Sequence, residues 1–397
     1  MAVKEVPLGR LRSPFYGRQV ALDTQNRWHD WQGYTVPDAL YCAETEYFAI
    51  RNATSVFDLS PMSKYRIRGP QAGAFLDRLV TRDMSRVPPG RVAYVVWCDD
   101  RGQVEDDGTV FHLAPDDYRL CAQERHFDEL TDAAFGFDVD IAEETHAVAA
   151  LAVQGPTSFS VLAAAGMDGV DTLAPFDLME CPFADSSVVV SRTGFTGDLG
   201  YELFVSPEHA GALWDVLFAA GKDYGIRAIG GDALALARVE AGFLQTGIDF
   251  QPAKATVRSE RTRSPFELGL GWLVDFGKPV FNGRRALAEE QRRGSRWRFL
   301  RLDIAGNKPA HNAYLFASRR AHKDVGFVTS AVWSPVCKQN IALATVDARY
   351  GNPGDTLYAD IYYQRELHWS RALEPCRIVK RPFWSPPRRN AVPPQPY

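Results

Sequence analysis

The chain has six cysteines in 397 residues, with no C-x-x-C pair and no cysteine near histidines at zinc-ligand spacing. It therefore offers neither a disulfide framework nor a structural zinc site. Cys42, Cys98, Cys121, Cys181, Cys337 and Cys376 read as free thiols of a reducing cytoplasm. Net charge is also scarce: 45 basic against 49 acidic residues leave -4, which gives no bulk reason to favour nucleic acid or an anionic membrane. Long apolar runs are missing, since charge interrupts each before the ~20 residues that a bilayer span needs. Met1 to Gln19 has no signal-peptide apolar region. The expectation is a soluble, cytoplasmic protein whose partner is a small molecule, with neither nucleic acid nor membrane involved. No phosphate loop, H-E-x-x-H or G-x-S-x-G occurs, and Gly269-Leu270-Gly271 lacks the third glycine of a dinucleotide fingerprint. The eight histidines are dispersed and read as structural or surface residues, so no metal is expected.

What is present is a 46% apolar, 24% charged composition, enough for two or three domains with cores of their own. Apolar spacing after Gly69-Pro70 predicts a helix over 72–80. Arg91 to Trp97, Gly108 to Leu113 and Asp117 to Ala122 read as an antiparallel meander. His146 to Val153 reads as a buried strand turning into a helix over 157–165. Two further strands, Ser187 to Arg192 and Tyr201 to Val205, flank a glycine-rich turn from Thr193 to Gly200. Helices follow from Pro207 and from Asp232 to Gly242. Near Gly294 the pattern changes to short strands: Phe299 to Ile304, Asp324 to Thr329, Ile341 to Val346 and Thr356 to Ile361. Their spacing suggests a small barrel or sandwich. The proline-rich end, from residue 379 on, reads as an extended or disordered tail.

Two acidic features attract attention. Glu105-Asp106-Asp107 lies between strand-like segments, and composition alone favours a solvated hairpin turn. In a strand, however, Asp106 and Asp107 would point to opposite faces, so that one could face a pocket while the other faces water. Glu202 follows the glycine-rich turn. It is either an exposed strand residue or a buried carboxylate that needs N–H donors.

Taken in chain order, Asp30-Trp31-Gln32-Gly33-Tyr34, Ser55 to Ser60, Arg68-Gly69-Pro70, Gly102 to Asp107, Ala152 to Pro156, Thr193 to Gly197 with Gly200-Tyr201-Glu202, Arg238 to Gly242, Phe281 to Leu287 and Ser334-Pro335 resemble the aminomethyltransferase (T-protein) family and its folate-dependent demethylase relatives. The resemblance implies an α+β, three-part fold around a central folate cavity. Residues 1–294 would form two interleaved folate-binding subdomains, residues 295–378 a β-rich domain, and residues 379–397 the tail. It also implies tetrahydrofolate as cofactor, Asp106 as the catalytic or orienting carboxylate, and Glu202, Gln123, Tyr94 and Arg238 as folate-binding residues. Gln123 stands where the family has asparagine, and Ser60-Pro61-Met62 where it has S-H-M. These departures, with Trp97 and Cys98, point away from an aminomethyl group on a lipoyl arm. They do not identify the substrate; the expected reaction is transfer of a methyl group from a small N- or O-methylated substrate to tetrahydrofolate. Tyr34, Trp97 and Trp31 are the substrate-side candidates, each with core packing as the competing explanation. An orthodox aminomethyltransferase using a lipoylated carrier and a non-catalytic folate binder are the alternatives. A one-residue slip of strand register would exchange the roles of Asp106 and Asp107.

Overall fold

Residues 9–395 are described by the computed structural model, and their strands fall into two open sheets, a hairpin and a closed barrel. The six-stranded sheet runs Leu178–Phe183, Ser186–Ser191, Gly200–Val205, Ala149–Gln154, Ser55–Asp58, Arg227–Ala228. The five-stranded sheet runs Arg91–Cys98, Val104–Ala114, Asp117–Ala122, Ser63–Arg68, Asp140–Glu143. The chain leaves the first sheet after Ser55–Asp58, completes the second, and returns at Ala149–Gln154, so the two sheets are interleaved along the sequence.

This weaving determines where apolar residues meet. One face of the six-stranded sheet packs on helices, with Leu151, Val153, Val161, Leu213 and Trp214 among the buried contributors. Its other face meets the five-stranded sheet in a core that contains Phe57, Phe111, Cys121, Ala152 and Phe204. The far face of the five-stranded sheet is covered by the helices Ala72–Leu79 and Phe127–Ala133, through Tyr65, Phe75, Val110 and Leu130. A carboxylate on that sheet therefore faces either the opposite sheet or a helix-covered core.

The helix, meander, glycine-turn strands and helix starts occur as the sequence pattern predicts, with ends shifted by up to four residues. Three features differ. The acidic residues 105–107 lie inside the strand Val104–Ala114, and the turn precedes them at Asp99 to Gln103, where Asp99 receives the Gln103 N–H. The C-terminal strands form a closed six-stranded barrel, the first of the two expected forms, but it includes Tyr314–Phe316 and His368–Val379, which the sequence pattern does not reveal. The described part of the tail is docked: Arg388 binds buried Asp198 through two guanidinium nitrogens at 2.6 and 2.8 Å, Trp384 Nε1 donates to the same carboxylate at 2.9 Å, and Arg192 donates to the carbonyls of Arg389 and Ala391.

A buried cluster ties the tail, the barrel and the helices together. Glu240 accepts from Arg51 (2.6 Å), from Tyr47 (2.6 Å) and from Ser334 of the barrel strand Gly326–Ser334 (2.5 Å), while its backbone carbonyl accepts the Trp384 N–H. Breaking a buried, hydrogen-bonded charge pair leaves one partner uncompensated. Arg388→Ala should lower stability by about 2–4 kcal/mol in urea unfolding, whereas Arg377→Ala, at an exposed pair with Asp303, should leave the midpoint unchanged. Equal, negligible effects would mean that the tail is not docked in solution.

Candidate functional site

The register of one strand determines the geometry of the site. Along Val104–Ala114, Asp106 and Val110 share one face, and Asp107, Thr109 and Phe111 share the other. Trp97 pairs with Asp106 and Tyr94 with Thr109 on the neighbouring strand. Val110 and Trp97 belong to the helix-covered core, whereas Phe111 belongs to the core between the sheets. Asp106 is thus turned toward the helices and Asp107 toward the six-stranded sheet.

Asp106 is fully buried and well supplied with donors. It accepts from the Thr246 hydroxyl at 2.6 Å, the Glu124 N–H at 3.2 Å and the Asp107 N–H at 2.9 Å, and it lies 2.8 Å from His126 Nε2. Lys254 Nζ lies 3.0 Å from Nδ1 of the same ring. An ammonium group only donates, so this contact puts the ring proton on Nε2, where it is donated to Asp106. Lys254 also binds Glu129 at 2.5 Å, extending the network to the surface.

Asp107 accepts from the Tyr94 hydroxyl at 2.6 Å, and its other oxygen is 2.9 Å from Thr246 Oγ1. Thr246 has one proton and faces two carboxylates. If it donates to Asp106, the short contact with Asp107 is a hydrogen bond only when Asp107 carries a proton. Burial, and then the negative charge of Asp106, push Asp107 up to about 7. The Tyr94 hydroxyl is held well above its usual range by burial and by Asp107, so it remains a donor.

Glu202 lies on the facing sheet. It pairs with Ala152, which belongs to the same inter-sheet core as Phe111 and Cys121. Its carboxylate accepts from Thr193 at 2.7 Å, and burial raises its pKa. The glycine-rich turn that leads to it closes around Gln154, which donates to the carbonyls of Thr193 and Tyr201 and accepts from Thr196. A Cβ at Gly194 would come within 1.9 Å of the Gln154 carboxamide, and one at Gly200 within 2.3 Å. These glycines therefore make room for a side chain of the protein itself.

The other candidates are more scattered. Gln123 follows the strand Asp117–Ala122, and its carbonyl accepts from Gln32 at 3.2 Å. Arg238 is buried and bonds Asp249 (2.5 Å), the Phe243 carbonyl and Ser330 of the barrel, so its described contacts are structural. Tyr34 is buried with its hydroxyl 2.5 Å from His146, Trp31 packs on Phe57, and Trp97 stands edge-on to His126 on the helix-covered face. Asp106, Asp107 and Tyr94 are brought together, Glu202 lies across the sheets from them, and Trp31 and Tyr34 are paired in the hairpin while Trp97 lies apart on the helix-covered face. Thr246, His126, Lys254 and Trp272, which is 66% exposed with its ring 6.2 Å from that of Tyr94, are additions from the structure. His126 is 20 residues from Asp106 and Thr246 is 140 away, so no local pattern joins them. Among the described residues, no group of three or more His, Cys, Asp or Glu side chains is placed to hold a metal ion, and none of the six cysteines is paired.

Comparison with known proteins gives this arrangement a family. A model of the GCVT N-terminal domain matches residues 18–278, and one of the glycine cleavage T-protein C-terminal barrel domain matches residues 296–384. The chain belongs to the glycine cleavage T-protein family. An aminomethyltransferase of Thermotoga maritima is 30% identical over 385 residues, covering 96% of this chain and all of that protein. The aminomethyltransferase of Streptomyces coelicolor is 32% identical over 381 residues, covering 92% and 97%. A trimethylamine-oxide aldolase of Ruegeria pomeroyi is 37% identical over 322 residues, 78% of this chain but only 39% of that longer protein. The crystal structure of the glycine cleavage system aminomethyltransferase T from Bartonella henselae has the same T-protein fold, with a TM-score of 0.82 and 24% identity over 94% of this chain and 98% of that one.

The raised pKa of Asp107 has a consequence for stability. An unfolded aspartate loses its proton near pH 4, and the folded one near 7, so between these values the folded state holds a proton that the unfolded state lacks. Asp107 therefore lowers stability progressively as pH rises through this window, and its full cost is reached above it. Relative to the native protein, Asp107→Asn should gain up to about 4 kcal/mol between pH 4 and 8 in urea unfolding. A difference that does not change with pH would mean that Asp107 titrates as an ordinary surface carboxylate.

Proposed function

We propose that this T-protein family member is a tetrahydrofolate-dependent transferase that takes a methyl or other one-carbon group from a small N- or O-methylated substrate. The observation that carries the reading is the placement of Asp107: a carboxyl held by Tyr94 and Thr246 on the inner face between the two sheets, across from Glu202, with burial and Asp106 raising its pKa. Among the described residues Glu202 has one side-chain donor, Thr193, and a carboxylate has acceptor capacity for more. Two adjacent N–H groups, such as those on the edge of a pterin ring, suit that remaining capacity in bidentate fashion. Tetrahydrofolate, when bound, supplies the amine nitrogen that accepts the one-carbon group.

This chain's own residues then orient and manage protons. Glu202 fixes the ring edge, and Tyr94 holds Asp107 in place. As the accepting nitrogen bonds to the methyl carbon and the donor's N–C or O–C bond breaks, Asp107 takes up the proton that the accepting amine loses and passes it to the departing amine or alkoxide, since a group with a pKa near the working pH exchanges protons at least cost. Asp106 is the second carboxylate of this arrangement: its charge raises Asp107, and its bonds to His126 and Thr246 hold the pair in register. Positioning donor and acceptor in a cleft contributes much of the rate in such transfers. The relative named trimethylamine-oxide aldolase, the most similar in identity of the three curated relatives above, supports a small methylated amine as the donor class. Tyr34 and Trp97 are buried too deeply to carry the substrate assignment by themselves, Trp31 is partly buried against Phe57, and Trp272 is the aromatic packed against Tyr94 that remains open to solvent.

The colinear, nearly full-length match to two aminomethyltransferases favours a second reading, transfer from a lipoylated carrier with release of ammonia. Incubating the protein with tetrahydrofolate and a panel of methylated amines, betaines and methoxyaromatics separates the two. 5-Methyltetrahydrofolate is the expected product; ammonia and 5,10-methylenetetrahydrofolate formed only with a lipoylated carrier would replace the first reading by the second. Tetrahydrofolate alone should raise the stability of the fold, by about 2.7 kcal/mol at a hundredfold excess over Kd. An unchanged melting curve would contradict both. Asp107→Asn should cut turnover by about 10²–10⁴-fold. Asp106→Asn should cost less and, by removing the neighbouring charge, move the alkaline rise of the pH profile toward lower pH; the reverse order of losses would return the proton-transfer role to Asp106.

A further inference from the structure

The loop that brings Thr246 to the two aspartates also brings Lys254 to the ring behind one of them. The Ala253 N–H donates to the Val104 carbonyl at 2.9 Å and the Lys254 N–H to Glu105 at 2.8 Å, so the loop is laid along the strand Val104–Ala114 beside Asp106. The Lys254 ammonium has three protons and three acceptors: the Arg125 carbonyl at 3.0 Å, Glu129 at 2.5 Å and Nδ1 of His126 at 3.0 Å. His126 is buried, with its backbone N–H donated to the Tyr65 hydroxyl at 2.7 Å and its ring edge-on to Trp97. Its Nε2 lies 2.8 Å from Asp106, so both ring nitrogens are in use.

An imidazole between two acceptors can pass a proton along, taking it at one nitrogen and releasing it at the other. His126 is placed differently. To take a proton from Asp106 it would need its lone pair at Nε2, and its own N–H would then lie at Nδ1, pointing at an ammonium that has no lone pair to receive it. Lys254 therefore keeps the ring a donor to Asp106, and a donor in buried surroundings favours the ionised form of a carboxylate. The other groups facing the pair do not make this distinction. Thr246 is shared by both aspartates, Tyr94 donates to Asp107, and the nearby acids Glu105, Glu129 and Glu202 are bound by Lys254 or Thr193. Among the described residues, His126 is the side chain that binds Asp106 and not Asp107.

We infer that Lys254 and His126 are positioning residues that lock the proton of the aspartate pair in place: the ammonium fixes the ring tautomer, the ring holds the charge on Asp106, and the proton is left to Asp107. The lock acts from the helix-covered side of the strand, where His126 packs on Trp97, whereas Asp107 faces the space between the sheets. The reactive carboxyl is thus set from behind, by groups that need not touch a ligand. The inference rests on the transferase reading for what Asp107 does with its proton; where the proton sits is a property of the protein alone.

The test is ¹⁵N NMR of the histidine rings and ¹³C NMR of the aspartate carboxyls on the full, ligand-free chain at about pH 5.5, where an ordinary aspartate is ionised. In the native protein His126 should carry its proton on Nε2, with Asp106 at the ionised and Asp107 at the protonated carboxyl shift. Lys254→Met removes the donor at similar length, and Lys254→Gln replaces it by an amide that can accept from Nδ1–H as well as donate. Both should let the ring adopt the Nδ1–H form and raise the share of the proton on Asp106 relative to Asp107 by about tenfold. Lys254→Arg, which again only donates, should restore the native signals. If Lys254→Met does not fold, the native ring and Lys254→Gln decide. A native ring protonated on Nδ1, or signals that stay native in the folded Met or Gln variants, overturns the inference. A change at Asp106 with the ring unchanged also overturns it, since that is the effect of a distant charge without a lock. In turnover of a methylated amine, Lys254→Gln should lower kcat and leave the Kd for tetrahydrofolate as it is; a loss confined to that Kd counts against the positioning role. Absence of any turnover by the native protein would fail the transferase reading, and the NMR signals would still decide the lock.

Discussion

Thr246 has one hydroxyl proton and lies within hydrogen-bond distance of two carboxylates, and the organisation of the site follows from that mismatch. Asp106 is the better provided of the two, with His126, Glu124 and Thr246 all directed at it. Asp107 has Tyr94 and a share of Thr246. Two carboxylates this close cannot both be ionised cheaply, and burial raises the cost. The proton is therefore favoured on Asp107, the pair member with fewer donors, which faces the space between the sheets. The rise of Asp107 results from burial and from the charge of Asp106, which strand alternation leaves beside it, and the bonds from Tyr94 and Thr246 only moderate it.

Thr246 has this influence only because its loop is fixed. Asp249, three residues later, accepts from Arg238 and the Gln245 N–H on one oxygen and from Thr329 and Ser330 of the barrel on the other. Arg238 is thereby a brace between a helix, the Thr246 loop and the barrel. Two residues beyond Arg238, Glu240 joins Arg51, Tyr47 and Ser334, and the docked tail adds Trp384 and Arg388 on the other side of Arg51. The barrel thus helps set the geometry of a carboxylate pair that lies in another sheet. Buried ionic clusters of this kind contribute little net stability compared with apolar packing, but they fix relative positions.

Much of the fold is legible because it is written locally. The helix Ala72–Leu79 has apolar residues at helical spacing after Gly69-Pro70, and Asp117–Ala122 is a strand-forming run between turns. The strand His368–Val379 escapes the pattern because its exposed outer positions and Pro375 blur the alternation, and Tyr314–Phe316 is too short to carry a period. The tail has the composition of a linker, and its docking depends on Asp198, which lies some 190 residues earlier. The acidic stretch stands out in the sequence, yet composition suggests a turn where the register builds a strand. Which aspartate faces the centre is settled only by the pairing of Trp97 with Asp106 and Tyr94 with Thr109. The histidine and threonine that complete the site are invisible for the same reason: contacts across 20 and 140 residues leave no local trace.

The most direct test of this account is the titration of Asp107 itself. With ¹³C-labelled aspartate side chains, carboxyl NMR of the native protein should contain one resonance that titrates near pH 7, that is absent in Asp107→Asn and that shifts when tetrahydrofolate is added. If every aspartate titrates below pH 5, or if the resonance near pH 7 survives in Asp107→Asn, the carboxylate pair does not work as described.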